Sequence, residues 1–253
     1  MKKGKLGSFD IIGNIAIIQI NNRKLAQNIL KKQKNIKTVY YRGKISGRLR
    51  TPSLKFLAGK RQTETIYKES GCLMKLDIKT CYFSPRLGTD RFEIAKKVKK
   101  NENVLVMFSG VAPYALIIGK HAKPKSIYCV ELSKLASKYA QENIKLNKLK
   151  NITIIQGDVK KIIPRLKIKF DRIVMARAQL NETFLKQAFM VSRRGTIIHF
   201  YDFIAKEDFP KESIAKINAM AKKMAKKVKI ISSKKVREIA PYRYHARVDF
   251  RII

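Results

Sequence analysis

Val104-Leu105-Val106-Met107-Phe108-Ser109-Gly110-Val111-Ala112-Pro113-Tyr114 is an apolar run that stops in a turn of small residues. An unbroken run of this kind suits a strand buried on both faces, and a glycine just past its end lets the backbone approach a ligand closely. A doubly wound α/β domain begins a nucleotide site in this way, at the carboxyl end of its first strand. Immediately upstream, Tyr82-Phe83-Ser84-Pro85-Arg86-Leu87-Gly88-Thr89-Asp90-Arg91 is a polar, arginine-rich approach with one carboxylate in it. The two segments together imply a cofactor pocket with reactive groups at its mouth.

Outward from this stretch the pattern supports the same fold. A helix is expected over 89–100, with Phe92, Ile94, Ala95 and Val98 inward. Strands over 104–108, 127–130, 152–155, 172–175 and 196–200 then alternate with helices over 113–121, 135–146 and 182–191. Such alternation implies a mainly parallel sheet covered on both faces. Ile214, Ile217, Met220, Met224 and Val228 predict one helical stripe over 212–229, and two short β runs, 229–232 and 247–253, close the chain. Before Tyr82 the sequence reads differently. Two short strands flank a Gly13-Asn14 turn within 8–20, a helix covers 22–33, and β runs lie at 38–41, 54–57 and 73–76. The expectation is a small α+β domain of residues 1–81 followed by a Rossmann-like domain of residues 82–253.

Composition narrows the partner. The 253 residues carry 57 Lys+Arg against 18 Asp+Glu, a net charge of +39, spread along the whole length. Charge at this density repels itself in the folded state, and a polyanion relieves that repulsion, so nucleic acid is the expected partner. Hydrophobic residues make up 45%, enough for a core and against a disordered basic tail. No apolar stretch reaches the roughly 20 residues that span a bilayer. Cys72, Cys81 and Cys129 have no metal-like spacing, which suits reduced thiols in a cytoplasmic protein. With His121, His199 and His245 as the only histidines, no metal centre is expected.

Four features have the spacing of an S-adenosylmethionine site in a doubly wound sheet. Gly110 follows the first strand. Glu131 ends the second, where a carboxylate accepts two ribose hydroxyls. Asp158 follows the third in Gln156-Gly157-Asp158-Val159, where an acidic side chain meets an adenine amino group, and 172–178 leaves the fourth beside the reactive methyl. Phe108 and Val159 flank these groups and are candidates with them. Each has a plainer reading: Gly110 as turn chemistry, Glu131 as a helix start, Asp158 as a cap. Their joint placement in one β-α-β series favours the cofactor. A G-x-G-x-x-G and a Walker A loop are both absent.

At these residues the sequence resembles the tRNA guanine-37 N1-methyltransferase and wybutosine-synthesis family of archaea and eukaryotes. Its members carry a pattern close to Tyr-Phe-Ser-Pro-Arg-Leu-x-Thr-Glu-Arg, matched here from Tyr82 to Arg91. They follow with Asp-Met-Phe-Ala-Gly-Val-Gly-Pro-Phe, matched with changes from Val106 to Tyr114. Further matches are Glu142-Asn143-Ile144-Lys145-Leu146-Asn147-Lys148, Gly157-Asp158-Val159, Ile197-Ile198-His199-Phe200-Tyr201 and Ala240-Pro241 to Asp249-Phe250. The resemblance covers nearly the whole chain. A separate N-terminal RNA-binding domain of longer members is not matched, so a short-form member is expected.

The resemblance implies a class I S-adenosylmethionine-dependent methyltransferase acting on position 37 in the anticodon loop of tRNA, with a monomer as the expected state. N1 of guanine carries a proton and sits in the Watson–Crick edge, so the base must be turned out and deprotonated. Asp90, the carboxylate of the motif, is the candidate base. Arg86 and Arg50 are candidates to stabilise charge developing on O6, and Arg91 to hold that charge or a flanking phosphate. Tyr82 and Phe83 are candidates to stack on the flipped base, with Ala176 and Arg177 also lining its pocket.

Departures from the family pattern leave the product open. Asp90 stands for Glu, one methylene shorter. Val106 stands for Asp, which removes an anion from the expected cofactor pocket, and Ala112 stands for Gly. Met175-Ala176-Arg177-Ala178 stands where N1-methylating members carry Met-Asn-Leu-Pro, so no amide meets the base. That points to a wider pocket, as for 4-demethylwyosine, which some short-form members methylate at C7. Two other readings remain. One is transfer of the cofactor's aminocarboxypropyl group, and the other is a non-catalytic basic RNA-binding protein.

Overall fold

The computed structural model describes residues 9–47, 51–177 and 182–253. The chain opens with a four-stranded sheet in the order β1 (Asp10–Ile12), β2 (Ile15–Ile18), β3 (Thr38–Ser46) and β4 (Thr51–Gly59). Between β2 and β3 runs α1 (Arg23–Lys32), capped where Asn22 Oδ1 accepts the Leu25 amide at 3.0 Å. Ala26 and Ile29 of α1 meet Ala16, Ile18, Val39 and Leu57 in a small core of their own.

A separate hairpin follows, β5 (Glu64–Glu69) and β6 (Cys72–Asp77). After a 3-10 turn at Pro85–Leu87 come α2 (Gly88–Lys97), β7 (Asn103–Met107), α3 (Pro113–His121), β8 (Ser126–Glu131), α4 (Lys134–Leu146) and β9 (Ile152–Gln156). Next are α5 (Val159–Ile162), β10 (Phe170–Met175), α6 (Leu185–Met190), β11 (Ser192–Ala205), α7 (Lys211–Lys223), β12 (Val228–Ala240) and β13 (Arg243–Ile252). These strands form one seven-stranded sheet in the order β12-β13-β11-β10-β7-β8-β9, parallel from β11 to β9 with β12 and β13 antiparallel. The order reverses at β7, which has β8 on one side and β10 on the other. The crevice outside their carboxyl ends is therefore the place for a ligand. Within β7, Val104 and Val106 enter one core and Leu105 and Met107 the other, which accounts for the unbroken apolar run.

The hairpin is held by two side-chain amides four residues apart, Asn143 on α4 and Asn147 at its C-cap. Asn143 accepts the Lys75 amide at 2.7 Å and donates to the Lys75 carbonyl at 3.0 Å. Asn147 does the same to Leu73, at 2.8 and 2.6 Å. Two side chains thus take the part of a neighbouring strand and satisfy the outer edge of β6. The hairpin lies N-terminal to residue 81, yet these bonds tie it to the seven-stranded unit.

Five elements differ most from the sequence expectation. The helix expected over 212–229 ends at Lys223, because Ala225 turns left-handed (φ 48°) and Val228 and Ile230 begin a strand period. The terminal β runs are far longer than expected, 13 and 10 residues, and pair along nearly their whole length. The β5 strand and the short α5 were not anticipated at all. No helix among the described residues is long and apolar enough to cross a membrane.

Candidate active site

The turn that leaves β7 is wound unusually tightly. Phe108, Gly110 and Ala112 all take left-handed backbone angles, φ 60°, 56° and 69°. For the two residues with a Cβ this costs about 1 kcal/mol each, strain that clusters where a site must be held in shape. It turns the chain onto the N-terminus of α3 and aims the Gly110 amide back across the crevice. There it donates to Glu131 Oε2 at 2.8 Å, while the Ser133 amide donates to Oε1 at 2.8 Å. Glu131, at the end of β8, is thereby fixed with one lone pair still free on each oxygen, the arrangement that accepts a vicinal diol.

Around this carboxylate opens a cavity of about 810 Å³, a volume that takes in the open space at its mouth. Of the sequence-predicted residues, Phe108, Gly110, Glu131, Tyr82, Phe83, Arg91, Ala176 and Arg177 line it. The Arg177 guanidinium lies over the Phe108 ring, 5.6 Å from its centroid. Phe108 in turn meets Phe184 edge-on at 4.9 Å. Phe83 is chiefly core, edge-on to Tyr67 at 5.0 Å. Asp158 and Val159 lie outside the lining. Asp158 accepts the Lys160 amide at 2.9 Å as the cap of α5, and Val159 is buried in the second core. Both remain one strand from Glu131, whose carbonyl accepts the Gly157 amide at 2.8 Å. Val106 is fully buried within β7 and lines no part of the cavity, so its substitution changes the core and not the pocket wall.

The arginines are placed otherwise than expected. Arg91 is buried and forms a two-pronged ion pair with Glu69 of β5. Its Nη2 also donates to the Ser84 carbonyl at 3.1 Å. It is a strut between the hairpin and α2, and a phosphate would have to displace Glu69. Arg86 lies outside the cavity with its Nε on Asp10 Oδ1 at 2.6 Å, and Arg42 takes the other oxygen at 3.3 Å. Arg237 on β12 feels the same group: burial and the charges of Arg86 and Arg42 push its pKa down, while Tyr82 and Asp10 offset part of that. Its buried Nε has no hydrogen-bond partner among the described residues. Arg50 lies outside the described residues.

Asp90 is the largest departure. At 3% exposure it does not line the cavity. Its Oδ2 accepts the hydroxyls of Tyr114 at 2.7 Å and Tyr201 at 2.5 Å, and Arg247 Nη1 donates to Oδ1. Donors thus point at both of its oxygens. The chain of charges continues inward. Arg247 Nε donates to Asp249 Oδ1 at 2.9 Å, Lys97 Nζ to Oδ2 at 2.6 Å, and His199 Nδ1 lies 2.7 Å from Oδ1. Arg172 Nη1 sits 2.9 Å from His199 Nε2 and is paired through Nε and Nη2 with Glu102 at 2.7 and 3.0 Å. Arginine can only donate, so Nε2 accepts and His199 is the neutral Nδ1–H tautomer. Burial drives its pKa down; the Asp249 carboxylate restores part of that, and the charges of Arg172 and Arg247 lower it further. For Asp249 burial acts upward, but His199, Arg247 and Lys97 hold it well below the usual carboxylate range. Burial and Asp90 together raise Tyr114 well above the phenolic range; for Tyr201 burial acts first, then Tyr114 and Asp90. Sequence reasoning missed Glu69, Tyr201, Arg247 and the role of Tyr114, although Tyr114, Tyr201 and Asp249 all fall inside matched motifs.

Residues 65–231 match the protein-family model described as the TRM5/TYW2 methyltransferase domain, and residues 4–63 that described as the TYW2 N-terminal domain. The tRNA (guanine(37)-N(1))-methyltransferase Trm5b of Pyrococcus abyssi is 38% identical over 97% of this chain and 74% of its own length. The tRNA(Phe) (4-demethylwyosine(37)-C(7)) aminocarboxypropyltransferase of Methanocaldococcus jannaschii is 32% identical over 94% of this chain and 95% of its own. The tRNA (guanine(37)-N(1))/4-demethylwyosine(37)-methyltransferase Taw22 of Nanoarchaeum equitans is 32% identical over 97% of this chain and 100% of its own. Among solved structures, Trm5b of Pyrococcus abyssi superposes with a TM-score of 0.88 at 37% identity, covering 97% of this chain and 75% of that one. The complex of aTrm5 with tRNALeu gives 0.85 at 30%, over 97% and 72%. TYW2 of M. jannaschii in complex with AdoMet gives 0.74 at 28%, over 97% and 100%.

Proposed function

The chain belongs to the TRM5/TYW2 methyltransferase family, and we propose that it transfers a methyl group from S-adenosylmethionine to N1 of guanine 37 in the anticodon loop of tRNA. The observation that carries this reading is the cavity walled by the pinned Glu131 on one side and the 82–91 segment on the other. The residues that line the cavity fit the cofactor: Glu131 for the ribose hydroxyls, Gly110 for close backbone approach and Phe108 as an apolar wall, while Asp158 and Val159 lie outside the lining. Bound there, S-adenosylmethionine supplies a methyl carbon made electrophilic by a sulfonium.

Tyr82 and Arg177 stand at the mouth for the flipped base, one as a stacking face and one as a cation for charge developing on O6. The net charge of +39 draws in the tRNA backbone. Residues 1–81 serve in this reading to position the RNA, with 82–253 as the methyltransferase domain.

Ala176 favours a second reaction at the same site. It lines the cavity where the resemblance puts an asparagine, and it offers a base neither donor nor acceptor. A tricyclic base such as 4-demethylwyosine fits a pocket relieved of that amide, so methylation at its C7 is the second activity we assign. Nucleoside mass spectrometry tests both, using unmodified tRNA and tRNA carrying 4-demethylwyosine. A gain of about 14 Da marks methyl transfer and about 101 Da marks aminocarboxypropyl transfer. No gain on either tRNA would leave only the RNA-binding reading.

A further inference from the structure

Two of the positions at which this chain departs from its family's pattern touch each other in the fold. Asp90 stands for a glutamate and Tyr114 for a phenylalanine, and the Tyr114 hydroxyl donates to Asp90 Oδ2 at 2.7 Å. Asp90 is shut away from the cavity, whereas Tyr114 lines it. Among the described residues no other carboxylate but Glu131 lines the cavity, and Glu131 is pinned at the cofactor side by two amides. The site therefore lacks a directly presented base of the kind N1 chemistry requires.

We propose that Tyr114 takes the proton from the target base and hands its own to Asp90, so that a Tyr–Asp pair acts as one extended base. The inference rests on the methyl-transfer reading above. A glutamate would carry its carboxylate about 1.5 Å further than an aspartate; a hydroxyl bonded at 2.7 Å extends the acceptor by more than the missing methylene. In the step, the N1 proton passes to Tyr114 Oη as the Oη proton passes to Asp90 Oδ2. The N1 lone pair forms the new N–CH3 bond while the donor's C–S bond breaks, its electron pair staying on sulfur. The products are the N1-methylated base, a neutral thioether and a protonated Asp90, which later returns its proton to solvent.

The surroundings suit a relay. Arg247 of β13 occupies only Oδ1, which leaves Oδ2 as the receiving oxygen. Tyr201 of β11 donates to that same Oδ2 and lies 3.1 Å from Tyr114 Oη, so it fixes both partners. Arg91 of α2 is the other charge acting on Tyr114, and it is neutralised by Glu69. Burial keeps Tyr114 in its neutral form, as suits a hydroxyl that passes a proton through and does not give one up to solvent. Tyr114 is the catalytic residue of this pair, and Asp90 acts through it.

The test is single-turnover methyl transfer to unmodified tRNA with S-adenosylmethionine in excess, measured across pH and in heavy water. Tyr114→Phe restores the family's own residue and keeps the ring. It is expected to slow transfer by about 10²-fold, within the range for acid–base groups, with tRNA affinity unchanged and the solvent isotope effect altered. Adding Asp90→Glu to Tyr114→Phe is expected to recover about tenfold or more of that loss. An active wild-type protein whose Tyr114→Phe variant keeps the same rate, pH profile and isotope effect would overturn the relay alone. So would a double variant no faster than Tyr114→Phe. A wild-type protein that transfers no methyl group to N1 would overturn the proposed function together with the relay.

Discussion

Arg91 and Glu69 are joined by two parallel hydrogen bonds, Nε to Oε1 at 2.7 Å and Nη2 to Oε2 at 2.5 Å, with both side chains almost wholly buried. The pair crosses from the hairpin to the first turn of α2, and the Arg91 guanidinium also lies over the ring of Phe83 in the cavity segment, 5.2 Å from its centroid. Removing one member of a buried pair leaves the other charge uncompensated. Arg91→Gln or Glu69→Gln is therefore expected to cost about 3–5 kcal/mol of folding stability, read as a shift in the urea midpoint. Arg91→Met with Glu69→Leu should cost much less. If Arg91→Gln kept full stability and lost only tRNA affinity, Arg91 would be an RNA contact after all.

Glu131 makes a prediction about the cofactor. Gly110 and Ser133 fix both oxygens, and in the proposed binding mode the remaining lone pairs would accept two hydrogen bonds from the ribose. A hydrogen bond to a charged group contributes about 1.5–3 kcal/mol, so Glu131→Ala should weaken S-adenosylmethionine binding by about ten- to a hundredfold or more. Titration calorimetry on the tRNA-free protein measures this. Unchanged affinity would remove Glu131 from the cofactor site.

The buried charge chain makes stability depend on pH in a definite direction. His199 and Asp249 both have folded pKa values below their ordinary 6.5 and 3.8. For either group the unfolded chain binds a proton first as pH falls, so each contributes stability that is full above its ordinary value and lost below it. Urea midpoints should be level above about pH 7, fall as pH drops through 6.5, and fall again below 3.8. Asp249→Asn should flatten the second decline. A midpoint that rose between pH 7 and 5 would contradict the neutral assignment of His199.

The strand-end residues of the cofactor side were legible because period and spacing alone decide which residue ends a strand. Gly110 and Glu131 needed no more than that, and both line the cavity. Asp90 was legible as a residue but not in its direction. Its partners Tyr201 and Arg247 lie 111 and 157 positions away and meet it only through β11 and β13. Asn143 and Asn147 stood in a matched motif with no visible purpose. Their task is to imitate a strand edge, and it is defined by a hairpin 68 and 74 positions earlier. The α7–β12 boundary failed for a local reason. Val228 continues a helical stripe and also opens an alternating strand, so periodicity could not choose between them.

The last prediction concerns the RNA. Arg42 and Arg86 share the single carboxylate of Asp10, and Arg237 beside them has an unpartnered buried Nε among the described residues. The three guanidinium groups therefore leave a net positive site beside Tyr82 at the cavity mouth. Burial first, and then the charges of Arg86 and Arg42, lower the Arg237 pKa, and a phosphate there would relieve the repulsion. For the protein as a whole, neutralising about six phosphates should cost about 10³-fold in tRNA affinity between 50 and 200 mM salt. Arg237→Gln should lower the slope of log affinity against log salt by about one and leave S-adenosylmethionine binding as it was. Because Arg237 pairs with no carboxylate among the described residues, its loss leaves no buried anion behind there, and the variant should fold as stably as the parent. A slope unchanged by Arg237→Gln would place the tRNA backbone on another face of the molecule.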